Sequence, residues 1–88
     1  MQKIRIAIID SGIDTNNSYF SKYIYDGKHI WCERGKCSIK KNFHDDNGHG
    51  TLCASVILKE CKDVEFYIIK IMNKYGVTNL ETLECALE

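Results

Sequence analysis

The stretch IRIAIIDSGID, residues 4 to 14, runs apolar residues directly into an aspartate and then into a Ser-Gly pair. Five of the six residues before Asp10 are apolar, which is typical of a parallel strand that is buried on both faces. Functional groups of open α/β sheets gather at the carboxyl ends of strands, where Asp10 lies. Taken alone, Asp10 fits a structural role, as a turn-forming residue or a helix N-cap, as well as it fits a functional one.

A second stretch, DDNGHGT at residues 45 to 51, places His49 between two glycines at the start of a predicted helix. The helix N-terminus disfavours the protonated ring, whereas a buried carboxylate nearby favours it and also fixes the ring tautomer. A neutral imidazole held by an aspartate is what a general base requires. If the motif stood alone, a histidine that merely begins a helix would be the favoured interpretation.

The rest of the chain predicts alternating strands and helices, which indicates an α/β fold with a parallel sheet. We expect a short helical turn with an aromatic face within residues 14–28, and a hairpin over residues 29–43 with its turn at Glu33–Lys36. A strand is predicted over residues 64–72, and a helix begins after Asn79 as the N-cap. A further helix is predicted over residues 48–60, with an apolar face of Leu52, Cys53, Val56 and Ile57.

Composition limits the function classes. The 88 residues suffice for one domain, and twelve basic side chains balance twelve acidic ones. This balance argues against nucleic acid or an anionic membrane surface as a partner. No segment reaches the roughly 18 apolar residues that a membrane span needs. The N-terminus lacks the pattern of a signal peptide, so we expect a cytoplasmic protein whose five cysteines are reduced thiols.

The two motifs together resemble the first two signatures of the subtilase family of serine proteases: IAIIDSGID around Asp10 and NGHGTLCASVI around His49. Residues 64–88 resemble the next strand, turn and helix of that family, and the order Asp, His, Ser is that of subtilisin. The resemblance implies an α/β fold that is the N-terminal part of a subtilisin-like, parallel-sheet, three-layer architecture. Residues 1–88 would form a partial catalytic domain, incomplete in this chain.

The resemblance also implies roles for individual residues. Asp10 would hold His49, which would take a proton from a serine hydroxyl and return it to the leaving amine. By analogy, Asp45 or Asp46, together with Gly48, would border the cleft that binds a peptide or protein substrate. No cofactor is implied. The family's third signature, G-T-S-M-A around the nucleophile, does not occur here, and Ser18, Ser38 and Ser55 lack a glycine-flanked turn.

Without a nucleophile the chain alone is expected to be inactive. Three interpretations follow: part of a longer protease, one half of a split protease completed by a Ser-bearing chain, or an inactive remnant that binds peptides or regulates. A receiver-like or nucleotide-binding domain is disfavoured, because the chain has no G-x-G-x-x-G, no P-loop and no acidic pair before Asp10.

The cysteines raise the question of a metal site. The residues His29, Cys32, Cys37 and His44 are potential ligands, but C-x4-C lacks the tight C-x2-C spacing usual for zinc. We therefore predict no metal, and expect Cys32 and Cys37 to be neighbouring thiols, or a disulfide under oxidising conditions. The three residues 61–63 leave no room for the calcium-binding insertion of many secreted subtilases. The other cysteines are expected to pack as small apolar residues.

Overall fold

A computed structural model describes residues 3–88 as a four-stranded sheet with three helices. The elements follow the predicted order: β1 Ile4–Asp10, α1 Ser18–Ser21, β2 Ile24–Glu33, β3 Lys36–Lys40, α2 His49–Glu60, β4 Val64–Lys70 and α3 Leu80–Leu87. The α/β class is thereby confirmed. Among residues 3–88, no helix combines the length and apolar character needed to cross a bilayer.

The strand order is β1-β4-β2-β3, with β1 and β2 parallel to β4 and β3 antiparallel to β2. β2 and β3 form the predicted hairpin, whose Arg34 and Gly35 both have positive φ angles, as two-residue hairpin turns require. The prediction that β1 is buried on both faces is wrong. Within residues 3–88 β1 pairs only with β4 and lies at the sheet edge. Ile4 is accordingly 60% exposed, while the central strand β4 carries the buried run.

α2 packs on one face of the sheet, against Ile8 and Phe66. Its buried residues are Gly50, Ala54 and Leu58, which recur every four positions along one side of the helix. The predicted apolar face is wrong in part, because Leu52 and Val56 are 60% and 55% exposed. Small residues are buried instead, since they let the helix backbone approach the end of β1 closely.

α3 packs on the opposite face, because alternate residues of β4 point to opposite sides of the sheet. The buried cluster on this face consists of Ile30, Cys32, Ile69 and Ile71. Three residues of α3 pack against it: Leu83, Cys85 and Ala86. The molecule is therefore a helix–sheet–helix stack of three layers. Asn79 is the N-cap of α3, as predicted, and its side chain accepts a hydrogen bond from Thr82 N at 2.8 Å.

The structure joins Cys32 and Cys37 in a disulfide. The expectation of five reduced thiols is therefore wrong for these two residues, and the alternative of a Cys32–Cys37 disulfide is the one that the structure has. Cys53, Cys61 and Cys85 are free cysteines. The physical reason is the hairpin register: a two-residue turn places Cys32 directly opposite Cys37 on neighbouring strands, which brings the two sulfurs together.

Candidate active site

Asp10 and His49, separated by 39 positions in the sequence, meet at the carboxyl end of β1. Asp10 is the last residue of β1 and His49 is the first residue of α2. Asp10 Oδ2 lies 2.8 Å from His49 Nδ1. The carboxylate side chain is only 12% exposed, whereas the imidazole is 62% exposed. Nδ1 is engaged by the carboxylate, and Nε2 has no hydrogen bond to residues 3–88, so Nε2 is the ring nitrogen that can act on another molecule.

Two hydrogen bonds from backbone N–H groups hold Asp10 in position. Its carbonyl oxygen accepts a hydrogen bond from Ile71 N at 2.8 Å, which ties the end of β1 to the residue that follows β4. Its Oδ1 accepts a hydrogen bond from Ser11 N at 2.7 Å. One carboxylate oxygen is therefore held by the backbone, and the other is directed at the histidine ring.

A second buried carboxylate, Asp45, organises the loop that leads to His49. Its Oδ1 accepts hydrogen bonds from Asn47 N and Gly48 N, and its Oδ2 accepts from Thr51 N and Oγ1. Burial alone would raise the pKa of Asp45. The hydrogen bonds from Gly48, Thr51, Asn47 and Ser11 outweigh that effect and hold its pKa far below the ordinary range. Asp45 is therefore a structural anion within the loop.

Ser11 joins the two motifs. Its hydroxyl donates to Asp45 Oδ1 at 2.8 Å and accepts a hydrogen bond from Gly50 N at 2.9 Å. Gly50 is the point of closest approach, because a Cβ atom there would overlap the carbonyl oxygen of Gly12. Gly12 itself has a φ of 112°, and a Cβ there would overlap Phe43 O. The D-S-G and G-H-G-T segments thus form one interlocked unit, and neither glycine can be replaced without displacing backbone.

The roles of Ser11, Asp45 and Thr51 are absent from the sequence-based prediction. A signal for Asp45 exists, since an Asp in a loop often accepts hydrogen bonds from the backbone two or three residues on, as Asp45 does from Asn47 N and Gly48 N. No comparable signal exists for Ser11, because its partners lie 34 and 39 positions away in the sequence.

The two predicted substrate-binding residues occupy different surroundings. Asp46 is exposed and pairs with Lys70, whose Nζ lies 3.0 Å from Asp46 Oδ2 and also donates to His44 O. The hydrogen bond from Lys70 lowers the pKa of Asp46 below its ordinary value. Gly48 is exposed with a φ of 109°, and it precedes His49 with no atom near the position of a Cβ.

A groove of about 280 Å³ borders His49 and is lined also by Asn47, Met72 and Gly76. A larger, open depression of about 570 Å³ lies on the hairpin, lined by residues such as Trp31 and Arg34, and does not include Asp10 or His49. The groove beside the histidine is the one that chemistry at Nε2 can use. Apart from His49, its lining residues were not predicted from the sequence.

A free thiol lies beneath the histidine. Cys53 Sγ is 3.8 Å from His49 Nδ1 and 3.9 Å from Asp10 Oδ2. Burial, followed by the negative charge of Asp10, raises the pKa of Cys53. Among residues 3–88 two groups bring three potential metal ligands within 4.8 Å of one another: Asp10, His49 and Cys53, and Cys32, Cys37 and Cys85. His29 and His44 belong to neither group.

Comparison with known proteins completes the description of the site. The family model for the subtilase family matches residues 1–80, which includes both the Asp10 and the His49 motif. A search of curated proteins found no significant match. The matched segment covers β1 through β4 and the start of α3. The chain therefore belongs to the subtilase family.

Proposed function

We propose that the chain supplies the Asp and His of a serine endopeptidase that hydrolyses peptide bonds. The observation that carries this proposal is the 2.8 Å contact between Asp10 Oδ2 and His49 Nδ1, with the rest of the ring exposed beside a groove. A carboxylate on one ring nitrogen and an open position at the other is the arrangement that a general base for a hydroxyl nucleophile needs.

In the proposed mechanism Asp10 holds the neutral ring with its proton on Nδ1, so that the lone pair on Nε2 faces outward. His49 takes the proton of a serine hydroxyl as that oxygen attacks the peptide carbonyl, and the resulting imidazolium is stabilised by Asp10. The ring then gives the proton to the leaving amine. Asp10 stays ionised throughout.

The serine comes from outside these 88 residues. In the described part of the chain no serine hydroxyl bonds the His49 ring, and the nearest serine in sequence to Asp10, Ser11, is committed to Asp45 and Gly50. The partner in this proposal is a Ser-bearing segment, either of the same protein or of a second chain. The 88 residues alone are then inactive.

The substrate in this proposal is a peptide or protein that lies in the groove beside His49. Asp46 and Gly48 are kept as proposed substrate-binding residues, because both are exposed on the loop that carries the histidine. The backbone at Gly48 has no side chain to block an extended peptide, and the carboxylate of Asp46 is already oriented by Lys70.

The isolated chain tests the proton-handling part of the proposal. The neutral His49 ring is expected to carry its proton on Nδ1, where it donates to Asp10. His44 is a built-in control of opposite tautomer, because its Nδ1 accepts a hydrogen bond from Thr15 N at 3.2 Å. Long-range ¹H–¹⁵N NMR spectra distinguish the two forms. An Nε2-protonated His49 in the folded, wild-type chain would contradict the proposed mechanism.

Activity is tested by supplying a Ser-bearing subtilase segment, fused to the chain or added separately. Peptide cleavage and labelling by a fluorophosphonate probe are expected only when both parts are present. His49→Ala should lower kcat by about 10⁶-fold, the loss known for subtilisin itself. His29→Ala is the matched control and should change kcat little. Peptide binding without any cleavage would favour the inactive peptide-binding module instead.

A further inference from the structure

A third sulfur lies against the disulfide of the hairpin. The Sγ atoms of Cys32, Cys37 and Cys85 all lie within 4.8 Å of one another. Cys32 and Cys37 are bonded, and Cys85 is a free thiol on α3. Cys85 lies beyond the residues that the subtilase model matches, and it has no part in the proposed proteolytic mechanism.

The contact between α3 and the hairpin is held by three hydrogen bonds to the first turn of the helix. Cys32 N donates to Thr82 Oγ1, and Cys32 O accepts from Asn79 Nδ2, both at 2.9 Å. At the hairpin turn, Gly35 N donates to Glu81 Oε2 at 2.7 Å. Cys85 follows Thr82 by three positions and therefore lies on the same side of the helix. The backbone thus presents the thiol to the disulfide in a fixed geometry.

We propose that these three cysteines form an intramolecular thiol–disulfide exchange site. The thiolate of Cys85 attacks the Sγ atom of Cys32, and a bond between Cys85 and Cys32 forms as the bond between Cys32 and Cys37 breaks. The electron pair of the broken bond leaves on Cys37, which then takes a proton from water. One thiol and one disulfide exist before and after the step, so no oxidant or reductant is consumed.

Burial decides which sulfur is attacked. Cys32 is fully buried, Cys85 is half-buried and Cys37 is exposed. Attack on Cys32 releases the thiolate of Cys37 into water, where the charge is solvated. Attack on Cys37 would release a thiolate at Cys32 inside the apolar cluster of Ile30 and Ile69, where a charge is disfavoured. Cys32 is therefore the shared partner, and Cys37 and Cys85 compete for it.

The exchange changes what the disulfide holds together. The Cys32–Cys37 bond closes a separation of only five positions within one hairpin. The Cys32–Cys85 bond would join the hairpin to α3 across 53 positions, since 85 − 32 = 53. Closing the longer loop constrains the unfolded chain more strongly. The exchange also frees an exposed thiol on β3, which a small-molecule thiol or disulfide in solution can reach.

Peptide mapping of the wild-type chain tests the proposal, because Lys or Arg residues separate all five cysteines. The chain is equilibrated in a glutathione redox buffer, quenched with acid, alkylated and digested with trypsin without reduction. Two cross-linked pairs are expected: residues 29–34 with 37–40, and residues 29–34 with 75–88. Finding only the first pair, with Cys85 always alkylated, would overturn the proposal.

Two variants make the test independent of the wild-type equilibrium. In Cys37→Ser, the Cys32–Cys85 link should exceed any other pair by at least about tenfold, because of its effective concentration. In Cys61→Ser, the matched control, the wild-type mixture should persist. Preference for Cys32–Cys85 should vanish in concentrated guanidinium, where the fold no longer aligns the sulfurs.

A metal-binding outcome is distinguishable. If Zn²⁺ added to the fully reduced chain protects Cys32, Cys37 and Cys85 together from alkylation, and the redox buffer gives no Cys32–Cys85 link, the cluster is a thiolate metal site and the exchange proposal is wrong.

Discussion

Asp10 and Asp45 are both buried carboxylates, and both accept a hydrogen bond from Ser11, yet their surroundings differ. Asp45 accepts hydrogen bonds on both oxygens from the loop and helix start that surround it. Asp10 accepts one backbone hydrogen bond on Oδ1, and its Oδ2 faces an imidazole that is mostly exposed. A carboxylate that is saturated by its own scaffold stabilises the fold. A carboxylate with one oxygen left for a side chain that reaches solvent is suited to chemistry.

The largest expected effect is a loss of activity on substitution of Asp10. In a complete enzyme that contains this chain, Asp10→Asn should lower kcat by about 10⁴-fold, the size known for this change in serine protease triads. The asparagine amide would favour the wrong ring tautomer. The free energy of unfolding should change by only about 1 kcal/mol, since the side-chain shape is kept. Peptide hydrolysis and urea unfolding measure the two quantities. A large loss of stability would show that Asp10 is mainly structural.

Asp45→Ala should mainly lower the free energy of unfolding. Removing this carboxylate leaves the donors of Gly48, Thr51 and Ser11 without their acceptor, and buried unsatisfied groups cost about 1–3 kcal/mol each. We expect a total loss of about 3–5 kcal/mol in urea unfolding of the chain. The control is Asp26→Ala, because the exposed Asp26 carboxylate accepts, within residues 3–88, a single hydrogen bond from the adjacent Gly27 N. Equal losses in both variants would contradict the role given to Asp45.

The next prediction concerns the close packing of Gly50, whose N–H donates to the hydroxyl of Ser11, the residue that contacts both carboxylates. Gly50→Ala should destabilise the chain by about 3 kcal/mol, because the new methyl group overlaps Gly12 O and must separate α2 from β1. Gly35→Ala is the matched control: it has positive φ but nothing within 4 Å, so only the backbone strain of about 1 kcal/mol is expected. Urea unfolding measures both, and a similar cost for the two variants would show that the contact with Gly12 relaxes easily.

The pH dependence of stability sharpens the comparison further. The pKa of Asp45 is lowered by folding, so its contribution to stability is complete above the unfolded carboxyl value of about 4. The contribution is lost as pH falls below that value towards the lower pKa of the folded state. The urea midpoint of the wild-type chain should therefore fall between about pH 5 and pH 2 more steeply than that of Asp45→Asn. Parallel profiles would exclude Asp45 as a source of acid sensitivity.

The smallest expected effect concerns the thiol beside Asp10. Because burial and the charge of Asp10 raise the pKa of Cys53, iodoacetamide should modify it slowly near neutral pH. Asp10→Asn should accelerate that modification by a few-fold, while the rate at Cys61 stays unchanged. Mass spectrometry of tryptic peptides reports both rates. An unchanged rate at Cys53 would contradict the influence of Asp10 on the thiol.

Local patterns predicted the elements well, because the signals are local. The hairpin turn at Arg34-Gly35 and the N-cap at Asn79 each depend on a few adjacent residues. The pairing of Asp10 with His49 was predicted only through the resemblance of their motifs to a family. Periodicity did not identify the buried face of α2, because it weights large apolar residues such as Leu52, whereas close approach of backbone selects Gly50 and Ala54.

Long-range relations were the least predictable. Nothing in the sequence of β1 indicates that β4 is the one strand it pairs with in the described part of the chain, so an apolar strand was predicted to have two covered faces. Likewise, the three-sulfur cluster joins residues 32, 37 and 85, and its third member depends on how α3 docks on the sheet. Contacts such as the hydrogen bond between Ser11 and Asp45, and the approach of Cys85 to Cys32, arise from topology, and topology depends on the whole chain.

The position of β1 at the sheet edge has a practical consequence for work with this polypeptide. One side of the strand has no neighbour among residues 3–88, so its main-chain groups there can template the addition of another strand. Concentrated samples of the 88 residues should consequently aggregate or form fibrils by edge-to-edge pairing of β1. The exposed side chain of Ile4 lies at the start of this edge. Dilute storage, or the substitution Ile4→Lys at the exposed start of the strand, should delay that aggregation.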